Sequence, residues 1–480
     1  MRARFWSGGL ELSPAPVLPE IAVLVAACAA LLTAAFVPQR LQWLGAPLAL
    51  LGLAVAAGLA FTQLVGPPRS AFAGVWALDG AAIWGRLLIL ASAAVCVLLA
   101  PAWFARDKRH GEYYAMLLLS TLGALLLAGA MDTLQLVMGV LLSSVTGYVL
   151  AAYHRDWAPS VEAGMKYFLI GALTNALLVI GVTLLFGLFG TTDYAALAVA
   201  LADAPGQAMT LLALTLVVIG VAFKLGAVPA HAWLPDVAEG APAPAAAFLT
   251  VVPKIGAAVA LIRLLPMFPA DAIAWRPILA TLSVATMTLG NLGAVGQNDV
   301  RRLIGWSSIS QSGYALMAIT VVGLTDQALP ALLFFLAGYA VANLAAFAMI
   351  TWLRGRTDLE HYRGLSAKRP LAAAVLVIAF LSLVGIPPLA GFVGKLMLFV
   401  AAIDAGYAWL AVVAVINTVI SLFYYLRVLG PMYFDDTDAP VHTLGSSAAV
   451  AMLAAGLLTV LLGVLSQPLL AALGSAVLLP

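Results

Sequence analysis

The sequence predicts an all-α polytopic membrane protein of about fourteen transmembrane helices, with two inverted five-helix repeats that each contain a broken helix. Three observations carry that prediction. Of the 480 residues, 64% are hydrophobic and 9% charged, with a mean hydropathy of +1.07, whereas soluble domains carry about 25% charged residues. Apolar runs of about twenty residues, the length that crosses a hydrocarbon core about 30 Å thick, recur along the whole chain. Two of these runs are interrupted by Gly/Pro clusters at corresponding places.

The runs lie near 19–37, 41–64, 81–103, 112–130, 133–152, 161–189, 208–232, 243–265, 274–297, 301–323, 327–353, 370–400, 406–429 and 446–470. The first begins near Pro19, well after Arg2 and Arg4, with Glu11 and Glu20 between, and reads as an uncleaved span rather than a signal peptide. Grouping the runs gives a three-helix segment over 1–110, a first repeat over 111–266, a second over 267–430 and a last helix within 431–480. A five-helix unit starts and ends on opposite sides of the membrane, so its successor is inverted. Residue identity between the two units is weak.

The seventh run contains Gly226-Ala-Val-Pro229 and the twelfth Gly385-Ile-Pro387-Pro388, each in the fourth helix of its unit. Freed backbone groups are expensive in lipid, so a broken helix survives only when buried in protein or lining a wet cavity. A simple proline kink would explain either break alone. Matching breaks in inverted repeats are the architecture of ion-coupled transporters.

The net charge of +2 is spread between helices, and no basic stripe invites nucleic acid. Cys28 and Cys96 lie in separate runs without nearby ligands and read as packing residues. Gly391-Phe-Val-Gly394-Lys395 lacks the spacing and the following Ser/Thr of a phosphate loop. No Rossmann fingerprint, haem ligand pair or cysteine cluster is present, which assigns electron chemistry to other chains. Loops after odd-numbered spans hold Arg40, Arg106, Lys108, Arg109, Arg155, Arg301, Arg302, Arg354, Arg356, Arg363, Lys368, Arg369 and Arg427, against Arg2, Arg4, Arg69, Arg263 and Arg276 opposite. That asymmetry predicts odd loops in the cytoplasm and both termini outside.

The chain has six lysines, and Lys166, Lys224, Lys254 and Lys395 lie inside apolar runs. A lysine deep in a span costs several kcal/mol. Snorkelling explains Lys166, near the expected cytoplasmic edge at Ser160, as well as a functional role does. Lys254 sits near mid-membrane, Lys224 just before the first break and Lys395 just after the second. Burial disfavours the charged form of an amine, so buried lysines linked by water can act as a proton relay. Acidic partners are far: every Asp and Glu lies at or near a helix end, with Asp132, Glu162, Asp236 and Glu239 nearest. His231, after the first break, either bridges the lysine row or hydrogen-bonds freed carbonyls. Arg86, in the third span, either faces a neighbouring subunit or snorkels, and takes no role.

The same residues carry a family pattern. Phe223-Lys224-Leu-Gly-Ala-Val-Pro229-Ala-His231-Ala-Trp233-Leu-Pro235-Asp236, followed by Glu239-Gly-Ala-Pro242-Ala-Pro244, resembles helices seven and eight of the antiporter-like subunit N of proton-pumping NADH:quinone oxidoreductase, respiratory complex I. Gly290-Asn291-Leu292, Arg301-Arg302, Ser307-Ser308-Ile309 and Gly313-Tyr314 resemble its ninth and tenth helices. Gly385-Ile-Pro387-Pro388-Leu-Ala-Gly391-Phe392-Val-Gly394-Lys395 resembles its broken twelfth, and Lys166-Tyr167-Phe168 the start of its sixth. The similarity covers roughly 110–430.

This resemblance implies proton translocation across a bacterial plasma (inner) membrane, coupled to electron transfer from NADH to quinone in other subunits. Lys224, Lys254 and Lys395 would form the relay, with Lys166 and His231 beside it. FMN, iron–sulfur clusters and quinone would bind elsewhere, with no cofactor or metal in this chain. The expected partners are the antiporter-like subunit M, the small subunits K, J and A, and the lipid bilayer.

One departure stands out. Aligning Gly139 and Tyr148-Val149-Leu150 with the family's fifth helix puts Leu141 where a glutamate partner of Lys224 is expected, leaving Lys166 to act on Lys224 through water. The alternatives are a multisubunit cation/proton antiporter subunit and a non-pumping structural subunit.

Overall fold

A computed structural model describes residues 13–107, 110–203, 208–354, 357–436 and 440–479. Arg2, Arg4, Glu11, Lys108, Arg109 and Arg356, used above for the first span and the orientation, lie outside the described residues. The first segment comprises α1 (Leu18–Phe36), α2 (Gly45–Thr62), β1 (Arg69–Ala71), β2 (Trp76–Leu78) and α3 (Gly80–Trp103). Next come α4 (Gly111–Ala128), α5 (Thr133–Ala151), α6 (Ala158–Phe189), the short α7 (Tyr194–Asp203), α8 (Ala208–Leu225), α9 (Trp233–Gly240) and α10 (Ala243–Leu264). The second half holds α11 (Trp275–Val295), α12 (Val300–Thr320), α13 (Ala328–Trp352), α14 (Leu365–Lys368), α15 (Pro370–Val384), α16 (Ala390–Asp404) and α17 (Ala408–Phe434). It closes with α18 (Ser446–Val464) and α19 (Ser466–Gly474).

Among the described residues, twelve helices are long and apolar enough to cross a membrane, which makes the chain a multi-pass membrane protein. Two predicted spans fall outside that set for physical reasons. The tenth is α12, long enough at 21 residues but too polar. The twelfth is the pair α15 and α16, each of 15 residues.

Both predicted breaks are present. α8 stops at Leu225 and α15 at Val384, and each is followed by a glycine in the left-handed region, Gly226 at φ +65° and Gly385 at φ +100°. That conformation ends a helix at little strain only for glycine. All 22 residues of α10 are buried. Its neighbours include α3, α4, α8, α12 and α13, so it stands at the centre of the bundle. α11 and α12 pack along most of their length, and the Ser283 hydroxyl donates to the Gly313 carbonyl at 2.7 Å.

The all-α fold class holds. The structure adds a two-stranded hairpin, with Arg69 opposite Leu78 and Ala71 opposite Trp76, whose three-residue strands are too short to show a periodicity, and α7, which is too short to span. One expectation needs correction. Arg86 neither faces outward nor snorkels: it is fully buried, 3.1 Å from Glu20 and 4.6 Å over the Trp76 ring, and it donates to Gln63 Oε1 and the Ala77 carbonyl.

Loops sort to two ends of the bundle. Arg106, Arg155 and Arg354 line one cleft. Near the opposite ends of the same helices, Asp79 caps the first turn of α3 and takes two bonds from Arg263, at 2.6 and 2.8 Å. The Leu479 N–H also donates to Asp79, at 2.8 Å. Burial alone would raise the Asp79 carboxyl; the Arg263 guanidinium and these hydrogen bonds outweigh that and hold it below the usual aspartate range.

Candidate functional site

The site is built on α12, the most polar long helix of the membrane region. Its middle reads Ser307-Ser308-Ile309-Ser310-Gln311-Ser312-Gly313-Tyr314, and every one of these residues is buried. A buried polar side chain needs a partner, and two of these, Gln311 and Ser312, find theirs at the two broken helices.

The Ser312 hydroxyl donates to the carbonyl of Leu225, where α8 ends, at 2.5 Å. Its neighbour Gln311 donates through Nε2 to the carbonyl of Leu383, where α15 ends, at 2.9 Å. Adjacent residues on one helix thus satisfy a freed carbonyl at each break. Carbonyls in the last turn of a helix lack intrahelical donors, so without these side chains both breaks would hold exposed acceptors.

The three deep lysines meet the same machinery. Lys254, on α10, donates to the Ser308 carbonyl at 2.5 Å and to the Ser312 hydroxyl at 2.8 Å. It also lies 5.7 Å from the centroid of the Tyr339 ring. The Tyr339 hydroxyl meets Ser308 Oγ at 2.6 Å and donates to the Thr250 carbonyl at 2.7 Å.

Lys395, on α16, donates to the Val384 carbonyl at 2.9 Å and lies 4.1 Å over the Tyr314 ring. Tyr314 in turn donates to the Ala414 carbonyl at 3.1 Å and lies 3.0 Å from Thr418 Oγ1. Lys224 sits in the last turn of α8, with its Nζ 3.3 Å from the Tyr167 hydroxyl and 5.3 Å from the Phe223 ring centroid. Exposure of the three lysines is 0%, 2% and 3% for Lys224, Lys254 and Lys395. Among the described residues none of the three forms a salt bridge.

Lys166 belongs to a different cluster. Its Nζ lies 2.7 Å from Glu162 and 3.2 Å from Asp236, and its side chain is 43% exposed. Asp236 also meets Arg302 at 2.5 Å, and Glu239 meets Arg302 at 2.8 Å. These five residues line a cleft of about 330 Å³. The residue in direct hydrogen-bond contact with Lys224 is the next one along, Tyr167.

The His231 ring packs 5.9 Å from Trp306 and lies beside the backbone of Pro229 at the first break. Leu141 is 37% exposed. On α5 both Gly147 and Tyr148 approach Tyr167, and Tyr148, seven residues on, shares the face of Leu141 at 3.6 residues per turn.

Tyr167, Gln311, Ser312 and Tyr339 are the site residues that sequence reasoning does not single out. The legible signal is the density of hydroxyl and amide side chains in one run, five between Ser307 and Ser312.

A family model described as NADH:quinone oxidoreductase/Mrp antiporter, TM, matches residues 130–421. NADH-quinone oxidoreductase subunit N of Mycobacterium sp. (strain JLS) is 45% identical over 459 residues, covering 95% of this chain and 97% of that protein. Subunit N 1 of Streptomyces griseus is 44% identical over 468 residues, covering 96% and 98%. A chain of respiratory complex I from Thermus thermophilus, with bound aureothin, superposes with a TM-score of 0.83 at 32% identity, covering 96% of this chain and all of that one. A chain of the Mrp complex from Dietzia sp. gives 0.84 at 23% identity, covering 96% and 97%, a likeness of fold alone.

Proposed function

Because the chain belongs to the NADH:quinone oxidoreductase/Mrp antiporter membrane family, we propose that it serves as subunit N of an NADH:quinone oxidoreductase, moving protons across the membrane. Electron transfer from NADH to quinone, with its FMN and iron–sulfur clusters, takes place in other subunits and drives the movement. Subunit M and the small subunits K, J and A are its membrane neighbours. The membrane is a bacterial inner membrane, with the cleft at Lys166 on the cytoplasmic side and Asp79 and Arg263 on the outer side.

The observation that carries this reading is the pair Gln311 and Ser312, which ties the two broken helices through one polar helix beside Lys254. A lysine in low dielectric exchanges its charge with neighbours at high energetic leverage. Lys224 takes a proton in the first half, Lys254 connects, and Lys395 exchanges in the second. Hydroxyl groups of Ser312, Ser308 and Tyr339, which both donate and accept, stand around the middle lysine, and water completes the path.

The test is Lys224→Ala, Lys254→Ala and Lys395→Ala in the whole complex reconstituted in vesicles. Each assembles, and each lowers the protons moved per electron; Lys395→Ala also slows coupled quinone reduction. Full stoichiometry in all three assembled variants would reduce the chain to a structural subunit. Sodium-dependent transport would instead favour a cation/proton antiporter.

A further inference from the structure

We propose that Tyr167 positions Lys224, and that it is held there by a clasp between α6 and α9 whose charged end opens on the cleft at Lys166. The proposal rests on the relay reading above and concerns how its first lysine is held. Two neighbours on α6 meet two residues one turn apart on α9. Lys166 Nζ lies 3.2 Å from Asp236 Oδ2. The Tyr167 ring stacks on Trp233, with centroids 4.1 Å apart and planes inclined by 22°.

The short helix α9 is fastened on its other side by α12. Arg302 reaches Asp236 and Glu239, and Arg301 donates to the carbonyls of Ala238 and Ala241 at the C-terminal end of α9. Trp233 is fastened as well, since its indole N–H donates to the Phe223 carbonyl at 3.2 Å, one residue before Lys224. The Tyr167 hydroxyl is thus located by a stack whose other member shares a short helix with Asp236. That carboxylate is divided between Lys166 and Arg302, so a change of charge in the cleft alters the force that holds Trp233 on Tyr167.

The chemistry suits the position. A phenol both donates and accepts. Its oxygen accepts from the Lys224 ammonium at 3.3 Å, and after that lysine loses a proton the hydroxyl can turn its own hydrogen toward the amine. One partner therefore serves both protonation states of Lys224 without carrying charge itself. A carboxylate would favour the charged state alone. Tyr167 is fully buried, and the Tyr148 ring meets its own edge-on at 4.9 Å, which limits its rotation.

In the reconstituted complex, Tyr167→Phe keeps the stack and removes the hydroxyl. The proton-to-electron ratio is expected to fall to that of Lys224→Ala, while NADH:quinone turnover per assembled complex is retained. A purely packing role predicts no change on this substitution. A wild-type ratio in Tyr167→Phe beside a lowered one in Lys224→Ala overturns the proposal and leaves the relay standing. A wild-type ratio in Lys224→Ala itself overturns the role of that lysine and the proposal with it. Asp236→Asn, a shape-preserving change in the partly exposed cluster, is the second variant. It is expected to lower the ratio too, and an unchanged ratio there overturns the clasp.

Discussion

Lys254 and Ser312 lie 2.8 Å apart, Nζ to Oγ, and the same hydroxyl donates to the carbonyl of Leu225, the residue that follows Lys224. A lysine of one helix is thereby linked through a single side chain to the break beside another lysine. Neither helix could make this link alone, because Ser312 comes from the second half of the chain.

Ser312→Ala cuts the link without removing any lysine. It leaves the Leu225 carbonyl without its closest donor and Lys254 with only the Ser308 carbonyl among its described hydrogen-bond partners. An orphaned buried acceptor costs about 1–3 kcal/mol, which a bundle of this size tolerates. The complex should assemble, and its proton-to-electron ratio should fall while quinone reduction continues. An unchanged ratio would show that the first break and Lys254 operate independently.

Gly391→Ala should damage the second break. A methyl group at this position would overlap the carbonyl oxygen of Ser382, so α16 could not keep its approach to α15. Overpacking of a filled interior costs about 1–3 kcal/mol and sometimes more. The expected outcome is less assembled complex at the growth temperature, measured on native gels. Normal yield with normal pumping would mean that this approach is not required.

Asp79→Asn should weaken the end of the bundle where α3 begins. Breaking a buried pair by removing one charge costs about 3–5 kcal/mol, here by leaving Arg263 unpaired. The sign of the pH effect follows from the lowered Asp79 pKa. The pair stabilises the fold fully above the value for an unfolded aspartate, about 3.9, and that contribution is lost as pH falls through the lower folded value. Thermal unfolding in detergent should therefore show a lower midpoint for Asp79→Asn at pH 7. The difference from wild type should shrink in strong acid; a constant difference would refute the assignment.

Glu360→Cys tests the orientation. Glu360 is exposed in the loop between α13 and α15. With Cys28 and Cys96 replaced by serine, an impermeant thiol reagent should label this site in inverted vesicles and not in intact cells. Labelling in intact cells would turn the molecule over.

The breaks at Gly226 and Gly385 are legible in the sequence because glycine and proline interrupt otherwise continuous apolar runs. The three deep lysines are legible because each is an isolated charge among apolar residues. What surrounds them is not. Tyr167 in an apolar helix reads as packing, and only the fold turns its hydroxyl toward Lys224. Gln311 and Ser312 are visible as polar residues, but their acceptors at Leu383 and Leu225 lie 72 and 87 positions away in the chain. The surroundings of Lys166 are hidden for a related reason: its partner Asp236 is 70 positions away by number and approaches only because α9 folds back on α6. Leu141 marks a departure that sequence can show, while its exposure on α5 is a matter of packing.

The polarity of α12 also bears on how the chain is made. Recognition of a membrane segment during synthesis follows its own apolar content, and α12 offers little, with Arg301 and Arg302 at its start and hydroxyl and amide groups through its middle. α11 leaves the ribosome first and packs along most of α12, with Ser283 reaching its backbone at Gly313. In the folded chain the earlier segment therefore covers one side of the later one, the helix least suited to lipid on its own. Along the chain, the most polar long helix follows directly behind the helix that packs on most of its length.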